Sequence, residues 1–296
     1  MSMTETFPSR EEWIAGGSRR PLPGFPHAVF VRQDGPVSGR PVTLLHGFPT
    51  SSHDWGAVVP YLVAAGCRVT TADFLGFGES DKPYPHDYSV CEQADLVEAL
   101  WRLTGRETTA LVAHDYGVSV AQELLAREPA RVTSMMWFNG GIWPDLHHPI
   151  PEQNLLAGPG GTEAARHVDE EKFTAAIKRL TGERPLPADL LHDMWLGARS
   201  RDGFRILPSL LNYMQERREN STRWTGTLCT YQGDQHFIWG PADPVSGAHV
   251  IPRILEVVPH AALTVLDKAP AVGHFPQVEA PEIVGPLLAD WLGDHT

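Results

Sequence analysis

The residues of this chain with the strongest claim to chemistry lie in TTALVAHDYGVSVAQELLARE, residues 108–128. An apolar run ends in Ala113-His114-Asp115-Tyr116-Gly117 and passes at once into a helical pattern. That spelling, small-x-nucleophile-x-small, fits a strained strand-to-helix bend that lifts one side chain above a sheet. Ala113 replaces the commoner glycine. A carboxylate in the raised position can attack an sp3 carbon by displacement and leave an alkyl-enzyme ester for water to cleave. The same letters also spell an ordinary helix N-cap, and on this motif alone the two readings weigh about the same. Ser119 is a rival nucleophile in Gly117-Val118-Ser119-Val120-Ala121, but it falls beyond the bend, inside the helix.

An ester intermediate needs a base to activate water. His274, one of fourteen histidines, sits in KAPAVGHFPQVEAPE in a Gly-containing loop between an expected strand and the last expected helix. The base needs an orienting acid, and QHFIWGPADPVS offers Asp243 after a strand ending near Trp239, with Asp234 as the weaker rival. Each candidate follows a strand, in the order nucleophile, acid, histidine. The stretch LLHGFPTSSHDW ends another strand at His46-Gly47-Phe48-Pro49. In an α/β sheet of this kind the Phe48 amide there, with the Tyr116 amide after Asp115, would form an oxyanion hole.

These positions demand a scaffold that brings strand ends together. Short apolar runs at 42–45, 68–72, 109–113, 132–138, 236–239 and 263–266 alternate with helical segments, the pattern of a mostly parallel sheet covered by helices. Residues 27–33 alternate and end in Asp-Gly-Pro, which predicts an antiparallel edge strand. Helices are expected at 92–104 and 118–127. From about 142 to 223 the strand rhythm stops, and helices are expected at 170–180, 188–199 and 207–218 before it resumes at Thr227. The chain therefore divides into a core domain, 1–141 with 224–296, and an inserted helical cap, 142–223, lying over the sheet edge where open α/β folds bind ligands.

Composition narrows the partners. With 24 basic and 36 acidic side chains the formal charge is −12, which opposes nucleic acid and anionic membrane surfaces. Cys67, Cys91 and Cys229 form no CxxC pair and suit a reducing compartment. The first thirteen residues show no leader pattern, and no apolar run is long enough to span a bilayer, so a cytoplasmic protein is expected. Neither a metal nor a cofactor is expected: His53-Asp54, His147-His148 and His192-Asp193 lack converging ligand spacing, and Gly76-Phe77-Gly78 lacks the third glycine of a dinucleotide fingerprint. Arg217-Arg218 reads as a solvated pair. The expected partners are a small apolar substrate and water, with a homodimer left open.

With HGFP, DFLGFGESDKP, AHDYG, GPADP and VGHFP in this order, the chain resembles the α/β-hydrolase superfamily, in its branch of epoxide hydrolases and haloalkane dehalogenases. FNGGIWP, DMWLGARSRDG, SLLNYMQERR and FIWGPADPV look most like the mesoderm-specific transcript proteins of that branch. The resemblance implies an α/β-hydrolase fold with Asp115 as nucleophile, His274 as base, Asp243 as acid, and the Phe48 and Tyr116 amides as oxyanion donors. Dehalogenases of the branch usually carry tryptophan after the nucleophile and often asparagine in the HGxP loop, where this chain has Tyr116 and Phe48. Epoxide hydrolases instead protonate the opening ring with cap tyrosines. Of six tyrosines only Tyr213 falls in the cap, so it is the candidate acid, without the usual partner; packing beside Leu210 and Met214 is its other reading. His114, Asn139, Trp143 and Trp195 are candidate pocket residues. The resulting expectation is a cofactor-independent hydrolase that converts an apolar epoxide to a diol. A haloalkane dehalogenase with the same triad, esterase or lyase chemistry with Asp115 non-nucleophilic or Ser119 acting, and a ligand-binding protein of low turnover are the alternatives.

Overall fold

The computed structural model describes residues 7–294; residues 1–6 of the stretch read for a leader, together with 295–296, lie outside it. Its centre is one eight-stranded sheet. The strands are β1 (Gly17–Leu22), β2 (Phe25–Asp34), β3 (Arg40–Leu45), β4 (Cys67–Ala72), β5 (Thr109–Ala113), β6 (Val132–Phe138), β7 (Asp234–Trp239) and β8 (Ala262–Val265). They stand in the order β1-β2-β4-β3-β5-β6-β7-β8, with β1 and β2 antiparallel and all later neighbours parallel.

The order explains where the chemistry sits. From β3 the chain moves outward to β4, then returns to the other side of β3 to lay down β5. This reversal opens a crevice at the carboxyl ends of β3 and β5, the usual ligand position in an open α/β sheet. Register keeps neighbouring strand ends level: Leu45 pairs with Ala113, Ala113 with Trp137, and Trp137 with Phe237. All five residues of β5 are buried, as expected of a strand covered on both faces. One buried cluster, including Leu111, Trp137 and Phe237, lies against the helices Val90–Thr104 and Tyr116–Arg127; a second, including Val42, Val112 and Ile238, is closed by Val284 and Leu288 of the last helix.

Most expected elements appear within two residues of their sequence bounds, and three expectations need correction. Residues 27–33 belong to β2, which is not an edge strand, because Gly17–Leu22 pairs outside it. That outer strand, GSRRPL, is largely solvated and lacks an apolar face to announce it. No strand begins at Thr227: Ser221–Thr230 is a helix packed on Tyr116–Arg127, with Trp224 and Leu228 buried one turn apart, and β7 begins at Asp234. The expected helix 207–218 breaks into Leu207–Leu210 and Tyr213–Glu219. Between β6 and β7 lie only helices and turns, with Glu170–Leu180 and Ala188–Arg199 at their expected bounds. Cys67, Cys91 and Cys229 are free thiols, and among the described residues no helix is long and apolar enough to cross a membrane.

Candidate active site

Asp115 joins β5 to the helix Tyr116–Arg127 with φ 47° and ψ −106°, a left-handed backbone that a side-chain-bearing residue adopts only under constraint. The constraint is visible: its amide donates to the Asn139 carbonyl at 2.8 Å, and the Gly117 amide donates to the His46 carbonyl at 3.0 Å. A side chain at Gly117 would strike the backbone of Leu45 and His46, so glycine is required where the helix meets β3. Asp115 makes no side-chain N-cap bond, which removes the ordinary capping reading. Its Oδ2 instead accepts the Phe48 amide at 2.8 Å, and its Oδ1 lies 3.8 Å from His274 Nε2.

The HGFP loop is braced for this contact. His46 Nε2 accepts the Phe74 amide at 3.0 Å while Nδ1–H donates to the Gly47 carbonyl at 2.8 Å, fixing a neutral tautomer. Burial lowers its pKa accordingly. The Phe48-Pro49 peptide is cis. Tyr116 opens the helix, so its amide has no intrahelical acceptor; its ring is 5.3 Å from that of Tyr213.

His274 Nδ1 donates to Asp243 Oδ2 at 2.8 Å. Asp243 also accepts Ser246 Oγ–H at 2.7 Å, the Val245 amide at 2.7 Å and Asn139 Nδ2 at 3.1 Å. Burial works against its charge, yet His274 and these donors hold its pKa down to about 2. Burial likewise disfavours an imidazolium at His274, but the carboxylates of Asp243 and Asp115 outweigh it and raise the pKa to about 9. At Asp115, burial is outweighed by His274, Arg217 and the Phe48 amide, and the carboxyl stays below its usual range. The His274 loop is clamped by Glu279, which accepts the amides of Gly273 and Phe275 at 2.9 Å each.

A cavity of about 590 Å³ reaches the site at Phe48 and His274; Asp115, Tyr116 and Tyr213 are not among the residues that line it. Phe48 and His274, the neighbours of Asp115, form part of its wall, while Ile150, Gln153, Phe173, Ile177 and Leu207 of the helical segment supply much of the rest. Its interior is mainly apolar, and exposed charged residues such as Glu171, Lys172 and Arg179 rim it.

The structure thus brings together Asp115, His274, Asp243, Phe48 and Tyr116. Tyr213 joins them from the helical segment, fully buried, its ring 6.2 Å from Phe48 and its hydroxyl accepting Gln153 Nε2 at 3.3 Å. The four expected pocket residues do not line this cavity. His114 donates from Nε2 to the His274 carbonyl at 2.8 Å, and burial followed by the nearby His274 pushes its pKa down to about 3. Asn139 is taken up by Asp243 and Gly240. Trp143 is core, and Trp195 stacks on Phe204 at 4.7 Å. Packing needs claimed these side chains, as aromatic residues at helical spacing usually are. Ser119 lies inside the helix with its Oγ accepting Arg217 Nε, and Asp234 is exposed at the start of β7, a strand length from Asp243.

Two further side chains at the site escaped the sequence reading. Arg217 is buried rather than solvated, and its place four residues after Tyr213, on the same helix face, was the available signal. Gln153 reaches the Tyr213 hydroxyl from the helix Pro151–Ala157 and carries no such signal. Away from these residues, His27, His86 and Glu92 bring ligand atoms within 4.8 Å of one another, with His86 Nε2 bonded to Glu92 at 2.7 Å.

A carboxylate on a strained bend, one oxygen held by an amide, beside an imidazole ordered by a second carboxylate, is equipped for displacement followed by ester hydrolysis. A family profile described as alpha/beta hydrolase fold matches residues 40–281. The chain belongs to the α/β-hydrolase family. Among this α/β-hydrolase's relatives, the mesoderm-specific transcript homolog protein of Bos taurus is 38% identical over 291 residues, covering 93% of this chain and 85% of the relative. LipZ of Mycobacterium tuberculosis, named provisionally as a hydrolase, is 40% identical over 283 residues, covering 94% and 96%. The solved structure of haloalkane dehalogenase DbeA from Bradyrhizobium elkani superposes with a TM-score of 0.78 at 23% identity, covering 94% of this hydrolase and 97% of DbeA, a likeness of fold.

Proposed function

We propose that this hydrolase opens an apolar epoxide to a diol, without a cofactor, through an ester on Asp115, with residues 142–223 acting as the cap that shapes the pocket. The observation that carries the reading is the Asp115 carboxylate itself, strained onto the crevice with Oδ2 on the Phe48 amide and Oδ1 facing His274. An Asp115 oxygen attacks a ring carbon, the C–O bond breaks, and the ring oxygen takes the Tyr213 phenolic proton. Water then loses a proton to His274 and attacks the ester carbonyl, whose oxyanion is held by the Phe48 and Tyr116 amides. Collapse of that adduct, with its hydroxyl proton passing to the departing alkoxide, frees Asp115 and leaves His274 protonated as at the start.

The order of these steps follows from charge. Before alkylation Asp115 helps hold a proton on His274, which is then no base; once Asp115 is an ester that charge is gone, His274 releases its proton through solvent to the Tyr213 phenolate, and the free imidazole can take a proton from water. Replacing His274 by Gln should therefore stop the reaction at the ester. Intact-mass spectrometry of His274→Gln with a mixed panel of epoxides and alkyl bromides should show the protein plus one whole epoxide, mapped to Asp115. An adduct formed with loss of bromide would shift the reading to a haloalkane dehalogenase. Wild-type turnover of a panel member with Asp115 unmodified in the variant would overturn it.

A further inference from the structure

Arg217 is the unusual charge of this site. It is 2% exposed, whereas its neighbour Arg218 faces solvent. Its Nε donates to Ser119 Oγ at 2.6 Å, its Nη2 donates to the Asp115 carbonyl at 3.1 Å, and its Cζ lies 4.3 Å from the centre of the Tyr213 ring. Nη1 is buried with no hydrogen-bond partner. Both acceptors are neutral oxygens. A buried guanidinium ordinarily answers a carboxylate, since a desolvated cation without one is costly. The anion it can answer here is the Asp115 side chain, on the residue whose carbonyl it holds.

We propose that Arg217 is a positioning residue whose one positive charge serves two anions in succession, the Asp115 carboxylate before the substrate C–O bond breaks and the Tyr213 phenolate after it. This rests on the reading of Asp115 as nucleophile and Tyr213 as proton donor. In that step the carboxylate becomes a neutral ester while the ring oxygen, gaining the bond's electron pair, removes the phenolic proton; the negative charge passes from Asp115 to Tyr213. Arg217 bonds the backbone of the first and lies over the ring of the second, so the cation need not move while the anion changes place. The Tyr213 hydroxyl is held above its ordinary pKa by burial and then by Asp115, while Arg217 opposes both. Alkylation removes the Asp115 contribution and leaves that of Arg217, which makes the phenol more acidic as the leaving oxygen needs its proton. The bond to the Asp115 carbonyl also links the helix Tyr213–Glu219 to the strained bend, so the proton donor and the nucleophile are held in one frame.

A double-mutant cycle separates this role from simple anchoring. In the His274→Gln background, where ester formation alone is read by intact mass, labelling by styrene oxide, 1,2-epoxyoctane and cyclohexene oxide is timed for Arg217→Lys, Arg217→Met, Tyr213→Phe and the Arg217→Met/Tyr213→Phe pair. Arg217→Met should slow labelling roughly 10²-fold, and Arg217→Lys, which keeps the charge, roughly 10-fold or less. In the Tyr213→Phe background Arg217→Met should cost far less than in its presence. Equal losses for Lys and Met, or losses that simply multiply across the pair, overturn the proposal. Arg217→Gln, neutral and polar, replaces Met in the cycle if the Met protein does not fold. Absence of label in His274→Gln for an epoxide that the wild type turns over would instead remove the Asp115 reading, so the two failures are distinct.

Discussion

The strand-end loops and the helical segment between β6 and β7 meet at the same carboxylate but treat their polar groups differently. In the loops Asp243 has four hydrogen-bond donors, Asp115 has the Phe48 amide, and Glu279 clamps the His274 turn, although His114 Nδ1 and the side-chain amide of Gln277 nearby are buried without partners. In the helical segment Arg217 Nη1 and both ring nitrogens of His147 are buried without partners, and the Tyr213 hydroxyl has one long bond from Gln153. Native interiors seldom leave such atoms unpaired. The contrast is between a half whose candidate reacting groups are held by several hydrogen bonds and a half in which the polar groups around Tyr213 are less fully bonded.

The comparison breaks hardest where the loop half is broken. Asp243→Asn keeps the shape but replaces a charged acceptor by an amide, so His274 loses both its orientation and its counter-charge. Turnover should fall roughly 10³-fold or more, as expected when the orienting acid of such a triad is neutralised. Removing one partner of a buried ion pair should also lower stability by about 3 kcal/mol, read from denaturant unfolding. A loss of turnover below 10-fold would mean that the loop network is structural rather than chemical.

The same division governs what the sequence could reveal. The loop half was legible because each of its residues follows a strand, and strands are short, apolar and bounded by turn residues; Asp115, His274, Asp243 and Phe48 all came from strand ends. The sheet was legible for the same reason except at its solvated rim, where GSRRPL has no buried face to betray it. The helical half was opaque. Tyr213 reads in sequence beside Leu210 and Met214 and Arg217 as solvated, since helical spacing does not say what a face meets, and Trp143 and Trp195, expected in the pocket, go into packing. Helix periodicity marks burial, while the identity of the neighbour is set by tertiary docking.

A second, smaller effect sharpens the contrast in charge. Burial works against the His274 imidazolium, but Asp243, Asp115 and Glu279 raise its pKa to about 9. Asp115→Asn removes one of them, so the His274 pKa should fall, as followed by NMR of the imidazole. The direction is fixed by sign: losing a negative neighbour disfavours the cation. In the wild type a raised folded-state pKa adds stability that is complete below the unfolded histidine value near 6.5 and is lost as pH rises through about 9. Asp115→Asn should therefore show that alkaline decline at a lower pH. An unchanged His274 titration would show that Asp243 and Glu279 set it without Asp115.

The smallest effect belongs to His147, and it tests the helical half directly. Its ring is 6.5 Å from that of Tyr213, and burial together with the Arg217 charge pushes its pKa down to about 3, so it is a neutral imidazole at working pH. A buried polar ring without partners contributes desolvation cost and nothing in return. His147→Leu should hence leave stability within about 1 kcal/mol of wild type or raise it, the reverse of Asp243→Asn. If the imidazole is completed by substrate, the same variant should weaken substrate binding, raising KM more than it lowers kcat. A clear fall in stability would show that His147 is already satisfied in the free protein, and the helical half would then be as closed as the loops it covers.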